Sequence, residues 1–242
     1  MSEVDGLVAM EAAGAPVPRV RGLWQDREQV VLATDWLALV PGGVEDWQAL
    51  ARILPVLHGQ RRERFGWHED NWLGGTRQTN VWMSGRGSGD WIAFFRDWRL
   101  RPMRDALVPA MDPRQLALLD RVLEAVPRIL SGHQPRAALV HGDLWRGNWG
   151  VDAGGQPWLF DPAVSVSDPE TDWALLELFG QPPAGFWEEY ARASGSPVDR
   201  GAYLRSRRPL YQLYHLLNHQ RLFGEEYAGL SMAAARQCLA PT

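Results

Sequence analysis

The segment His141-Gly142-Asp143-Leu144-Trp145-Arg146-Gly147-Asn148, with a second acid at Asp161 in Leu159-Phe160-Asp161-Pro162, carries the side chains with the clearest chemical content. An acid, an amide five residues on and another acid eighteen after the first offer three oxygen-bearing groups that two neighbouring backbone segments can bring to one point. There Asp143 would accept or orient the proton of an attacking hydroxyl, while Asn148 and Asp161 would hold Mg²⁺ against nucleotide phosphates. Phosphoryl transfer is the chemistry this spacing points to. The competing reading makes all three residues turn-formers in a Gly-rich loop, but a strand, a loop, a hairpin and an acid in sequence form a more specific pattern than any lone acid.

The elements that must position these groups are legible nearby. Ala137-Ala138-Leu139-Val140 reads as a short buried strand that delivers His141 into a loop, where Gly142 and Gly147 permit sharp turns. Trp149-Gly150-Val151, the turn-like Asp152 to Gln156 and Pro157-Trp158-Leu159-Phe160 then read as a hairpin that returns Asp161 to the side of Asn148.

Residues 3 to about 13 read as a helix ending at Gly14-Ala15-Pro16, and Arg19 to Trp24 and Gln29 to Thr34 as two strands around Asp26-Arg27-Glu28. Asp35-Trp36-Leu37 continues into a connector. Trp47, Leu50, Ile53, Leu54 and Leu57 keep helical spacing, with Glu45 and Asp46 suited to that helix's N-terminus. Residues 59 to 90 read as loop-rich, and Ser84 to Gly89 as a surface loop. From about residue 91 the chain reads mainly as helix, apart from the hairpin: Trp91 to Leu107, Asp112 to Leu130 with a stripe of Leu116, Leu119, Leu123, Val126 and Leu130, Glu170 to Phe179, Phe186 to Ser194, Val198 to Phe223, and Tyr227 to Cys238. A small strand-bearing front joined to a large helical body is an α+β, two-lobed arrangement.

Composition bounds the function. The 242 residues are 45% apolar, enough to bury a sizeable core and to exclude a disordered chain. A net charge of −4 and a pI near 5.9 argue against a nucleic-acid binder. Arg96, Arg99, Arg101 and Arg104 cluster locally, as a solvated helix face or as contacts to an anionic substrate. No apolar run is long enough to span a bilayer, Cys238 is the only cysteine, and the start lacks the basic and apolar regions of a signal peptide. A cytoplasmic protein without membrane partners is expected. Most of the thirteen tryptophans punctuate amphipathic segments and read as packing anchors, Trp145 in the loop excepted.

Several motifs together resemble the fructosamine kinase (ketosamine kinase) family, itself related to aminoglycoside phosphotransferases and choline kinases. They are Glu3-Val4-Asp5-Gly6-Leu7, Asp70-Asn71-Trp72-Leu73-Gly74 with Gln78-Thr79-Asn80, Phe94-Phe95 through Arg99-Leu100, His141 to Asn148, Asp161-Pro162-Ala163, Glu170 to Ala174 with Glu177 to Gly180, and Tyr211 to His219. They span essentially the whole chain. The resemblance implies a protein kinase-like two-lobe fold and ATP-dependent, Mg²⁺-assisted phosphorylation of a sugar hydroxyl on a ketosamine, a deglycation repair of glycated amines or proteins. It makes Asp143 the catalytic acid/base and Asn148 and Asp161 the metal ligands. Asp35 to Leu37 become the adenine-binding connector, with Trp145, His215 and His219 beside the sugar.

The front of the chain departs from that pattern. Similar proteins begin earlier, with a Gly-rich strand-turn-strand and a lysine-bearing strand, whereas here Glu3 occupies the position of the helix glutamate that pairs with that lysine. Residues 1–37 are therefore expected to be the remnant of a truncated nucleotide-binding N-terminal lobe, and 38–242 the C-terminal catalytic lobe. Losing the lysine and covering loop would cost several orders of magnitude in rate and expose one edge of the small sheet. Beside the fructosamine kinase-like reading stand an aminoglycoside or other small-molecule kinase and a truncated, non-catalytic binding protein.

Three other constellations carry less. His215 and His219, four apart on a helix, lack the adjacent glutamate of a zinc-protease motif. Glu170 and Asp172 open a helix and read as dipole compensation that steadies the catalytic loop, or as contacts to a substrate amine. His141 reads as a brace for the loop, and no Gly-x-Ser-x-Gly elbow supports a hydrolase.

Overall fold

Helix α1 (Ser2–Ala12) turns Leu7 and Met10 inward. The strands β1 (Val20–Gln25) and β2 (Val30–Thr34) pair antiparallel, with Val20 opposite Thr34 and a register shift before Gly22. The turn between them is closed by Asp26, whose carboxylate accepts from Gln29 N. The structure, a computed structural model, describes residues 2–27, 29–83 and 88–240. Glu28 of this turn and Ser84 to Gly87 of the expected surface loop lie outside the described residues.

Helix α2 (Trp47–His58) buries Trp47, Leu50, Leu54 and Leu57 and packs on α7 (Ala184–Ser194). The long helix expected from Trp91 is α3 (Ser88–Phe95), one wide π turn over Arg96–Leu100, and α4 (Arg101–Ala106). Helix α5 (Pro113–Ile129) starts at a capping box: Asp112 accepts from Arg114 N and Gln115 N, and Gln115 Oε1 accepts from Asp112 N. The remaining helices are α6 (Glu170–Leu178), the single turn α8 (Arg200–Ala202) that runs through a second π turn over Tyr203–Arg207 into α9 (Arg208–Phe223), and α10 (Ala228–Leu239). Because α9 packs against α4, α6 and α10 together, it is buried nearly all round.

The short sheets gather where this helical body meets the front of the chain. β3 (Val40–Pro41), β7 (Trp149–Val151) and β8 (Pro157–Leu159) form one; β6 (Ala138–Val140) pairs with β9 (Ser165–Ser167); β4 (Asn71–Leu73) pairs with β5 (Thr76–Gln78). Two of these correct the sequence reading, since β4 and β5 lie in a stretch expected to be loop, and β9 in one expected to be mainly helix. Three-residue strands are too short to show a period. Their buried residues are also polar, made tolerable by tertiary hydrogen bonds: Asn71 Nδ2 donates to Val164 O at 2.6 Å, and Tyr214 OH to Gln78 Oε1 at 2.6 Å.

Buried charges fasten α6 to α9. Arg207 grips Glu170 through two hydrogen bonds of 2.6 and 2.7 Å, and Tyr211 OH donates to Asp168, which also pairs with His133. Burial, and then Asp168, push the Glu170 carboxyl up to about 7 against the pull of Arg207. Removing one partner of such a pair strands the other charge. Arg207→Ala should therefore cost about 3–5 kcal/mol in urea denaturation, whereas Arg207→Met with Glu170→Leu together should cost far less.

Candidate active site

Strand β6 ends at Val140, and the next two residues are held from behind by a carboxylate. Asp172, 1% exposed in the first turn of α6, accepts from His141 N at 2.8 Å and Gly142 N at 2.9 Å. Its third partner is His58 Nε2 at 3.0 Å, and His58 Nδ1 lies 2.8 Å from Tyr190 OH. Burial opposes ionisation of Asp172, but His58, His141 and the Gly142 N–H outweigh it and hold its pKa below the usual carboxylate value. Gly142 has φ +81°, and a Cβ there would meet Ala163 O at 1.9 Å, so only glycine fits. His141 is fully buried, which lowers its pKa; Nε2 donates to Phe160 O and Nδ1 accepts from Asp143 N. Its place is that of a neutral brace across the hairpin.

A short 3₁₀ turn, Arg146–Asn148, then folds Asn148 back on Asp143. Asn148 Nδ2 donates to Asp143 O at 2.9 Å and to Asp143 Oδ2 at 3.1 Å. Phe160 N donates to Asn148 O at 3.1 Å, which brings the start of the Asp161 segment alongside. Asp161 has φ +54°, the one positive φ outside glycine among the described residues, in a region aspartate tolerates better than most.

Helix α1 adds Glu3. Burial and the neighbouring Asp161, to which it is hydrogen-bonded, raise the Glu3 pKa. Glu3, Asp143, Asn148 and Asp161 share a cavity of about 350 Å³ with Trp72 and Trp145, and no basic residue is among its described lining. With its Nδ2 engaged, Asn148 can turn only Oδ1 towards a ligand, and Asp161 adds a carboxylate. These hard oxygen donors, in a cavity with unbalanced negative charge, fit Mg²⁺.

The other expected residues fall elsewhere. Asp35 is paired with Arg21, which lowers its pKa, and Leu37 O accepts from Leu39 N; neither lines the cavity. His215 is 3% exposed, its pKa pushed down to about 3 by burial, and it lines a separate small interior cavity. His219 donates from Nδ1 to His215 O and packs on Phe179, which meets Trp145 edge-on. It is thus one ring removed from the cavity. Glu170 and Asp172 do not line it either. The arginine cluster is spent on local partners: Arg96 and Arg101 on Asp97, Arg104 on Asp120, and buried Arg99 on Thr79 O and Asn80 Oδ1. A larger cavity of about 470 Å³ lies at the far end of the β6–β9 ladder, around His133 and Glu170, away from the three convergent side chains. Sequence reasoning passed over Trp72 and His58 as site residues. The signals for Trp72 were its place in the Asp70-Asn71-Trp72-Leu73-Gly74 motif and its alternation with Asn71 and Leu73, and for His58 there was none.

The chain matches the fructosamine kinase family over residues 1–241. A protein named probable ketoamine kinase from Synechocystis is 34% identical over 98% of this chain and 76% of its own length. One of the same description from Thermus thermophilus is 36% identical over 94% and 78%. A candidate fructosamine-3-kinase of known structure from Thermobifida fusca superposes with a TM-score of 0.84 at 30% identity, covering 98% of this chain and 79% of that one. A choline kinase from Streptococcus pneumoniae, at a TM-score of 0.65 and 14% identity over 98% and 79%, shares the protein kinase-like fold alone.

Burial, followed by Asp161 and Asp172, drives the Asp143 carboxyl up to about 7, against the stabilising hydrogen bond from Asn148. The native state therefore holds this proton more tightly than the unfolded chain, and the associated stability is lost as pH rises from about 4 to about 7. Asp143→Asn should accordingly be more stable than the parent at pH 8, by about 1–2 kcal/mol after allowing for solvent in the cavity, with the gap narrowing at pH 5. Urea titrations at the two pH values measure this.

Proposed function

Because the chain belongs to the fructosamine kinase family, we propose that this phosphotransferase moves a phosphoryl group from ATP to a sugar hydroxyl of a ketosamine, at the 3-position. The observation that carries this reading is the convergence of Asp143, Asn148 and Asp161 in one cavity beside an exposed indole. Phosphoryl transfer asks for positioning and charge neutralisation more than for covalent help, and this cavity supplies oxygen ligands and one proton acceptor.

Asp143 accepts the proton of the attacking hydroxyl at its carboxylate, which Asn148 Nδ2 orients. Asn148 Oδ1 and the Asp161 carboxylate would hold Mg²⁺, which when bound neutralises phosphate charge. The Asp161 backbone lies in the left-handed region, and Asp161 lines the same cavity as Asp143. Asp143 carries a raised pKa in the free protein, which a cation held by Asn148 and Asp161 would lower towards the ionised form that accepts the proton. Trp145 offers an indole face to the apolar side of a sugar ring.

Phosphorylation at the 3-hydroxyl places a leaving group on the carbon next to the keto group and so labilises the sugar–amine adduct. Repair of glycated amines, in the reducing cytoplasm, follows as the role.

The test is Mg·ATP-dependent phosphorylation of a small ketosamine by this chain, followed by phosphorus NMR. Asp143→Ala should lower kcat about 10²–10⁴-fold, and Asp161→Asn should raise the Mg²⁺ concentration needed for half-maximal rate. Turnover of an aminoglycoside in preference to any ketosamine would replace this reading with that of another small-molecule kinase.

A further inference from the structure

We propose that Trp72 is a specificity-determining residue, its indole forming a wall of the cavity against which the amine-bearing arm of the ketosamine stacks. The inference rests on the function proposed above and adds the chemical class of that arm: a protonated secondary amine carrying an aliphatic or aromatic group.

Strand β4 alternates, with Asn71 and Leu73 buried and Trp72 between them 53% exposed, whereas Trp91 and Trp149 of the core are 1% exposed. The strand that carries this open indole is held in place through its neighbour Asn71. Asn71 Nδ2 donates to Val164 O at 2.6 Å, while Asn71 Oδ1 accepts from Gln78 Nε2 at 2.8 Å and Asn80 Nδ2 at 2.9 Å. The hairpin is thereby bolted to the segment that carries Asp161. Its turn, Gly74-Gly75, lies against Leu222 near the end of α9, so closely that a Cβ at Gly75 would stand 3.2 Å from the leucine. With both ends of the hairpin fixed, the backbone at Trp72 is preorganised at the edge of the cavity.

The second indole of the cavity is Trp145, 41% exposed and braced edge-on by Phe179 with ring centroids 6.2 Å apart. Both indoles line the cavity that holds Glu3, Asp143 and Asp161, and no described lining residue is basic. Indole faces take apolar and aromatic groups and attract cations. A cavity lined by carboxyl groups, with no basic residue among its described lining, offers nothing to pair with an anionic arm and so favours an ammonium. With the acids suited to a cation and Trp145 to the sugar ring, Trp72 is the indole left for the arm of the acceptor.

The test compares three ketosamines of one sugar with N-methyl, N-benzyl and N-carboxymethyl arms, by turnover and by calorimetric binding without ATP. The N-benzyl compound is expected to have the lowest KM and dissociation constant, about tenfold below N-methyl, as an added aromatic contact provides. N-carboxymethyl should be the poorest. Trp72→Ala should collapse the benzyl-to-methyl ratio towards one in both KM and binding, and Trp72→Phe should restore most of it. A loss spread equally over all three arms would mark Trp72 as structural and overturn the proposal, as would an unchanged ratio. Failure of the proposed function reads differently: the parent chain would then neither turn over nor bind any of the three, and both inferences would fall together. Binding without turnover would leave the arm subsite tested by the calorimetric ratio alone.

Discussion

The grip of the Asp172 carboxylate on the two amide groups of His141 and Gly142 is the constraint on which the loop carrying Asp143 depends. A chain leaving β6 could take many paths, and the fixed buried anion selects the one in which Gly142 turns through φ +81° and Asp143 faces the cavity. Such an anion is tolerable only because His58 and two backbone donors satisfy it. His58 in turn is held by Tyr190 on α7, and α6 by the Arg207–Glu170 pair. A loop of a few residues thus draws its geometry from three helices.

The acids of the cavity are arranged in the opposite sense. Asp172 is compensated and ionised, whereas at Asp143 and Glu3 burial and neighbouring acids prevail and their pKa values rise. The protein stores electrostatic cost at the point where a divalent cation and phosphates would relieve it, a common arrangement in sites tuned for proton transfer. The left-handed backbone at Asp161 adds a local cost at the same place. The hydrogen-bonded scaffold behind the loop is what can bear both.

Sequence and structure agree most closely where the information is local. The helices α2, α5, α6, α7 and α10 lie within a few residues of their expected spans, because periodic apolar residues, the Asp112 cap and the Gly195 stop act over a few residues each. The Asp143, Asn148 and Asp161 trio was legible for a related reason: β7 and β8 join the two segments by a short hairpin, so sequence spacing converts directly into distance. The strands β4, β5 and β9 were not legible, since their pairing is worth having only once Asn71, Gln78 and Tyr214 meet across 136 residues or fewer.

What the sequence by itself determined is therefore the chemistry: which oxygen-bearing side chains lie on one loop and hairpin, and the mixed α+β class of the chain that carries them. Only the tertiary structure decided what surrounds that chemistry. It set His58 behind the loop, 114 residues from its partner Asp172, and sent His215 into the interior instead of the cavity. It left Asp35 paired with Arg21 on the surface of the small sheet and brought Trp72 and Trp145 to the lining of one cavity. Those placements rest on contacts between distant segments and on the dielectric of a packed interior, neither of which exists until the chain has folded.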